Sequence, residues 1–215
     1  MLKRLYTNRA LVVMTVIGLA IFVFAIAVLM TPYTNVVGMD QLGALTCLQM
    51  AGTPERAVAA IQVYDEKQLE AIKGLLIPGD VTFAWGYGFL YAGLLGLLSL
   101  RLNGGWQKAG RIIMCAPLIA SLFDVFEDLG LYSVVGQVLA GLSLEINPAT
   151  TAITFAFASL KYFLLAVVAP VFAFAGTVQA IKTDRRWTSI IVYVLVVIWS
   201  VSMVQKPLAE IPACF

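Results

Sequence analysis

No histidine occurs anywhere in this chain. That removes the commonest general base, the commonest zinc and haem ligand, and the usual switch near neutral pH. Any acid–base chemistry falls to carboxylates, a lysine, tyrosines or a cysteine. Charge is scarce as well: 12% of the residues are charged, where a soluble domain carries about a quarter. The net charge of +2 comes without a polybasic tract, so a nucleic-acid partner has no electrostatic footprint. C-x-x-C pairs and Walker-type glycine loops are missing, and with them the motifs of iron–sulfur, structural zinc and nucleotide sites. No cofactor or metal is therefore indicated.

What the chain has instead is apolar length. Hydrophobic residues make up 61% and the mean hydropathy is +0.92. Several runs approach the roughly twenty residues that a membrane-crossing helix needs. β-Barrel strands are about ten residues long and alternate polar with apolar, whereas these runs are continuous. The expected fold is all-α: a single transmembrane domain over residues 1–215, a polytopic bundle of five transmembrane helices. The spans fall at about 10–30, 81–100, 112–135, 151–181 and 187–203. The first follows Lys3, Arg4 and Arg9 and reads as an uncleaved signal anchor, because its apolar run is longer than a signal peptide's.

Residues 31–80 form the one long polar-leaning segment. Thr53-Pro54-Glu55 supplies a capping hydroxyl, a proline in the first turn and an acid at the positive end of a helix. Beyond it Val58, Ile61, Leu69 and Ile72 alternate with Asp65, Lys67, Glu70 and Lys73. That spacing predicts one or two amphipathic helices, lying on the membrane or capping the bundle, external to it. Pro78-Gly79 ends the segment.

Basic residues set the orientation. With five spans, Lys3, Arg4, Arg9 and the turns carrying Arg101, Lys108, Arg111, Lys182, Arg185 and Arg186 fall on one side. Arg56, Lys67, Lys73 and Lys206 fall on the other. The positive-inside rule then predicts a plasma (inner) membrane protein with a cytoplasmic N-terminus and an outside C-terminus. Cys47 and Cys214 both lie outside in this topology, where a disulfide is chemically allowed; two separate buried thiols are the alternative. Cys115 lies in the third span.

Carboxylates inside an apolar run carry the functional signal. Asp124, Glu127 and Asp128 sit in the third span, spaced by three and four residues, so they share one helical face. Such groups are costly in hydrocarbon, so the face turns away from lipid and each acid needs a partner, a proton or water. Lys161 is the only basic residue deep in any span. At ~1.5 Å per residue, Asp124 is about 20 Å from Arg111 and Asp80 about 30 Å from Arg101. Lys161 is about 30 Å from Lys182, or level with Asp124 if its helix projects into the cytoplasm. Tyr87 lies two turns from Asp80 on the second span. The candidate ligand-binding residues are therefore Asp80, Tyr87, Asp124, Glu127, Asp128 and Lys161.

Four carboxylates and one ammonium cannot all be ionised in a dry site. The surplus calls for protons, a metal ion, a substrate amine or water. The leading expectation is an outward-half pocket that binds a cation, an amine or a polar lipid group, in transport or otherwise. A membrane-embedded lipid-modifying enzyme using Asp124 or Glu127 as acid or base is the first alternative. An accessory subunit with a purely structural ion pair is the second. The expected partners are the bilayer, a small cationic or lipid ligand and, on the accessory reading, another membrane protein or a further copy of the chain.

Overall fold

The computed structural model describes residues 7–38, 42–141, 146–183, 187–210 and Cys214; for residues 42, 183, 187, 188 and 206–210 only the backbone is described. The basic residues Lys3, Arg4, Arg185 and Arg186 and the loop acid Glu145 lie outside the described residues. Helix dominates, with no strand among the described residues. Four helical stretches among them are long and apolar enough to cross a membrane: Asn8–Val37, Glu66–Ser99, Gly104–Leu139 and Pro148–Lys182. A fifth, Ser189–Gln205, is apolar but shorter.

The first stretch begins where Thr7 caps it, its side chain accepting from the Ala10 N–H at 3.2 Å. Helix α1 (Asn8–Phe24) runs through a π-helical turn, Ala25–Met30, into α2 (Thr31–Val37). The widened turn leaves a backbone carbonyl to satisfy, and the Thr31 hydroxyl donates to Ile26 O at 2.7 Å. The helix thus runs seven residues past the expected end of the first span, into what was expected to be loop.

Three short helices follow: α3 (Leu42–Gln49), α4 (Pro54–Ile61) and α5 (Glu66–Gly74). Helix α4 starts at Thr53, whose side chain accepts from the Arg56 N–H. Helix α5 starts at a capping box. Asp65 accepts from the Gln68 N–H at 2.8 Å, and the Gln68 side chain accepts from the Asp65 N–H at 3.0 Å. The apolar faces of α4 and α5 are buried. Ile61, Leu69 and Ile72 close on Val37 and on Leu131 and Val134 of a later span. This apolar cluster is what anchors the segment to the bundle.

The chain then breaks. Ile77 is extended (φ −132°, ψ 112°) because the following proline disfavours a helical residue before it. Helix α6 (Val81–Ser99) begins immediately after Asp80 and forms the centre of the bundle. Two faces of α6 lack side chains and admit neighbours closely. Gly86 and Gly93 lie against α1 at Phe22 and Thr15, and Gly88 lies against Ser121 of the third stretch. Ser121 bonds both its own carbonyl at Pro117 (2.9 Å) and Ala84 O across the interface (2.7 Å).

A short amphipathic helix, α7 (Gly104–Ile113), leads into α8 (Ala116–Leu139). The fourth stretch is α9 (Pro148–Tyr162), a second plain π-helical turn, Phe163–Val168, and α10 (Ala169–Thr183). Gly176 of α10 packs on Leu98 and Leu102, so Lys182 extends about 9 Å further along the axis. The fourth helix does project beyond the level of Arg101. Helix α11 (Trp187–Glu210) closes the bundle, tied to α6 by a 2.7 Å hydrogen bond between Tyr91 and Ser200. A disulfide joins Cys47 on α3 to Cys214.

Candidate functional site

Helix α8 carries Asp124, Glu127 and Asp128 on its inward face, as their spacing requires, and all three are buried. Lys161, near the end of α9, meets this face. Its Nζ donates to Asp124 Oδ1 at 2.6 Å and lies 2.6 Å from Glu127 Oε2. The second contact is an ion pair whose alignment falls short of a hydrogen bond. Tyr87, in the first half of α6, donates its hydroxyl to the other Asp124 oxygen at 2.8 Å. Asp124 is thus held from two neighbouring helices, with both oxygens committed.

Asp128 is different. It is fully buried, and neither oxygen has a hydrogen-bond partner among the described residues. Asp80, Asp124, Glu127 and Lys161 all lie close enough to act on it electrostatically. A buried acid surrounded mainly by other acids is the unbalanced part of the cluster. An ionised carboxylate without a donor costs several kcal/mol in such a medium.

A cavity of about 200 Å³ opens beside these groups. Asp80, Tyr87, Asp124 and Lys161 form its charged wall, and Glu127 and Asp128 sit behind that wall. The six candidate residues are therefore brought together, four on the cavity and two in the layer behind. The direct Lys161–Asp124 pair has a cavity next to it, which a pair serving only to fix helix register does not require.

Three further features went unread in the sequence. The two π-helical turns and the break at Ile77 all give the cavity residues: Met30 from Ala25–Met30, Leu165 from Phe163–Val168, and Leu75 and Asp80 from either side of the break. Wide turns of this kind recur at functional sites, because the extra residue re-aims side chains. The second feature is Tyr162, the residue after Lys161. Its ring lies 4.8 Å from Lys161 Nζ, and its hydroxyl donates to Gln49 Oε1 at 3.0 Å. The third is α3, whose Leu45, Thr46 and Gln49 line the cavity from a segment predicted only as polar loop. An aromatic run, Phe22 to Phe83 to Tyr87, supports the same wall, with centroids 5.0 and 5.6 Å apart.

Among the described residues no group of three or more Cys, Asp or Glu side chains is arranged to hold a metal ion. Comparison with protein families, with curated proteins and with solved structures gives no match to this chain.

Proposed function

We propose that this is a five-span integral membrane protein whose acid-rich pocket binds a small organic cation, an amine with a short apolar arm. One observation carries the reading. Within the buried cluster a single ammonium is shared by Asp124 and Glu127, while Asp80 and Asp128 add two more carboxylates at the same place. A cationic ligand in the adjoining cavity would add positive charge to a cluster in which buried Asp128 has no hydrogen-bond partner among the described residues. The remaining walls favour an organic cation. Phe83, Tyr87 and Tyr162 offer aromatic faces for an ammonium, and Met30, Leu75 and Leu165 offer apolar surface for its arm. At roughly 30 Å³ for each water-sized group, the cavity has room for about seven non-hydrogen atoms.

The fold supports the same reading. Interrupted helices at mid-membrane depth are a recurrent way of building polar sites in transport proteins. Ile77 interrupts one stretch just before Asp80, and the turn Phe163–Val168 widens another just after Lys161. On this reading Ser189–Gln205 is the fifth span, and α4 and α5 form an external cap. The described basic residues Arg9, Arg101, Lys108, Arg111 and Lys182 then face the cytoplasm. The Cys47–Cys214 bond lies at the opposite, oxidising side.

Ligand-dependent thermal stability tests the binding. Primary amines from methylamine to hexylamine are compared with the matching alcohols on wild type and on Asp80→Asn. At ten times its Kd a bound amine stabilises by about 1.4 kcal/mol. Amines should raise the melting temperature of wild type and alcohols should not, and Asp80→Asn should lose the difference. Equal effects of amines and alcohols, or an undiminished amine effect in Asp80→Asn, refute the reading.

A further inference from the structure

We infer that α3 is a lid over the acid-rich cavity, clasped shut by the Cys47–Cys214 disulfide and by the Tyr162–Gln49 hydrogen bond. The inference rests on the cation-binding reading of that cavity and assigns the control of access to it.

Helix α3 is built as a lid. It is eight residues long, packs most closely on α4, and also touches α8, α9 and α11. Leu45 and Gln49, four residues apart, share the face that meets the cavity, with Thr46 beside them. Cys47 is two residues from each and so points away from that face. Glycines with positive φ stand beyond both ends, Gly38 at +87° and Gly52 at +68°. Such positions allow a short helix to turn as a unit, because no side chain resists the change.

Two latches hold it. The disulfide brings Cys47 to Cys214 with Cα atoms 5.0 Å apart. Cys214 follows α11, which contributes Ser202 and Met203 to the cavity. The clasp therefore fastens the lid to the helix on another wall of the same cavity. The second latch joins the lid to the charged cluster: Gln49 accepts from Tyr162, and the Tyr162 ring lies over Lys161. A dithiol reductant opens the first latch. The Sγ–Sγ bond breaks, each sulfur gains one electron and one proton, and the dithiol closes to its own disulfide. Helix α3 then keeps the hydrogen-bonded latch and its apolar packing through Leu48, and opening it works against fewer ties.

The test uses the full chain in lipid nanodiscs with Cys115→Ser, leaving no free thiol, and with Leu165→Cys as a reporter on the cavity wall. The labelling rate at position 165 is measured by mass spectrometry with two thiol reagents of similar size, the cationic methanethiosulfonate ethylammonium and the anionic ethylsulfonate. Removing the clasp, by Cys47→Ser with Cys214→Ser or by brief dithiol treatment, should speed labelling about tenfold. Tyr162→Phe, which keeps the disulfide, should speed it about threefold, the effect of one ordinary hydrogen bond. Unchanged rates in the double serine variant, the reduced protein and Tyr162→Phe overturn the lid. If opening speeds both reagents and they label equally fast, the lid stands and the cation-binding reading falls.

Discussion

Replacing Lys161 by methionine removes the ammonium that Asp124 and Glu127 share while keeping most of the side-chain volume. The starting geometry is tight. Nζ lies 2.6 Å from an oxygen of each acid, and all three side chains are nearly excluded from the surface. Removing one partner of a buried pair leaves uncompensated charge and costs about 3–5 kcal/mol. For a chain of this length that corresponds to a fall of roughly 10 °C in melting temperature. Cys115 is the free cysteine among the described residues and is only partly buried, so a thiol-reactive dye can report unfolding in detergent. The informative comparison is with Lys161→Met combined with Asp124→Asn and Glu127→Gln. The triple variant leaves none of the three paired groups charged and should regain most of the loss, because a buried pair contributes little net stability against neutral groups of the same shape. A loss under about 1 kcal/mol in the single variant, within the range of an exposed pair, would refute the buried-pair argument. So would a triple variant no more stable than the single one.

Two other outcomes follow from packing and titration. Leucine at Gly86 would place a Cβ 2.6 Å from Phe22 N and 2.7 Å from its Cα, both backbone, so α1 must move away from α6. A loss of about 3 kcal/mol or more is expected for overpacking against backbone, measured by thermal unfolding. Gly105→Ala, with nothing within 4 Å, should cost nothing. Burial pushes the Tyr64 phenol, in the turn between α4 and α5, up to about 12. The unfolded phenol titrates near pH 10, so the fold favours the neutral form; its contribution is whole below about pH 10 and is lost as pH rises through about 12. Melting temperatures at pH 9 and pH 11.5 should therefore diverge more in wild type than in Tyr64→Phe, and equal divergence would contradict this.

The parts of the site legible in the sequence are those set by one helix at a time. Asp124, Glu127 and Asp128 share a face because 3.6 residues make a turn, and no tertiary knowledge is needed. The level of Lys161 was harder, since it depends on how far α10 runs past Leu102, which packing at Gly176 decides. Partners distant in sequence left no local trace. Tyr162 meets Gln49 across 113 positions, and nothing around either residue announces the other. The π-helical turns were invisible for a different reason. In an apolar helix one added residue changes no hydropathy pattern, because Phe163-Leu-Leu-Ala-Val-Val is apolar in either geometry. The cysteines sit between these cases, since the expected topology put Cys47 and Cys214 on one side but their separation came only from the fold.

The turn Phe163–Val168 also acts as a phase shifter. Lys161 lies just before it and Phe172 just after, and the two serve different neighbours: Lys161 the acids of α8, Phe172 the small residue Gly110 on α7. A plain α-helix advances by about 100° per residue. Wound as a plain α-helix, the same residues would rotate everything from Ala169 onward by about this angle relative to Lys161. The chain could then satisfy the charge cluster or the seam at Gly110, but not both. The extra residue is what lets a single rod keep two appointments on faces that regular winding would set out of step.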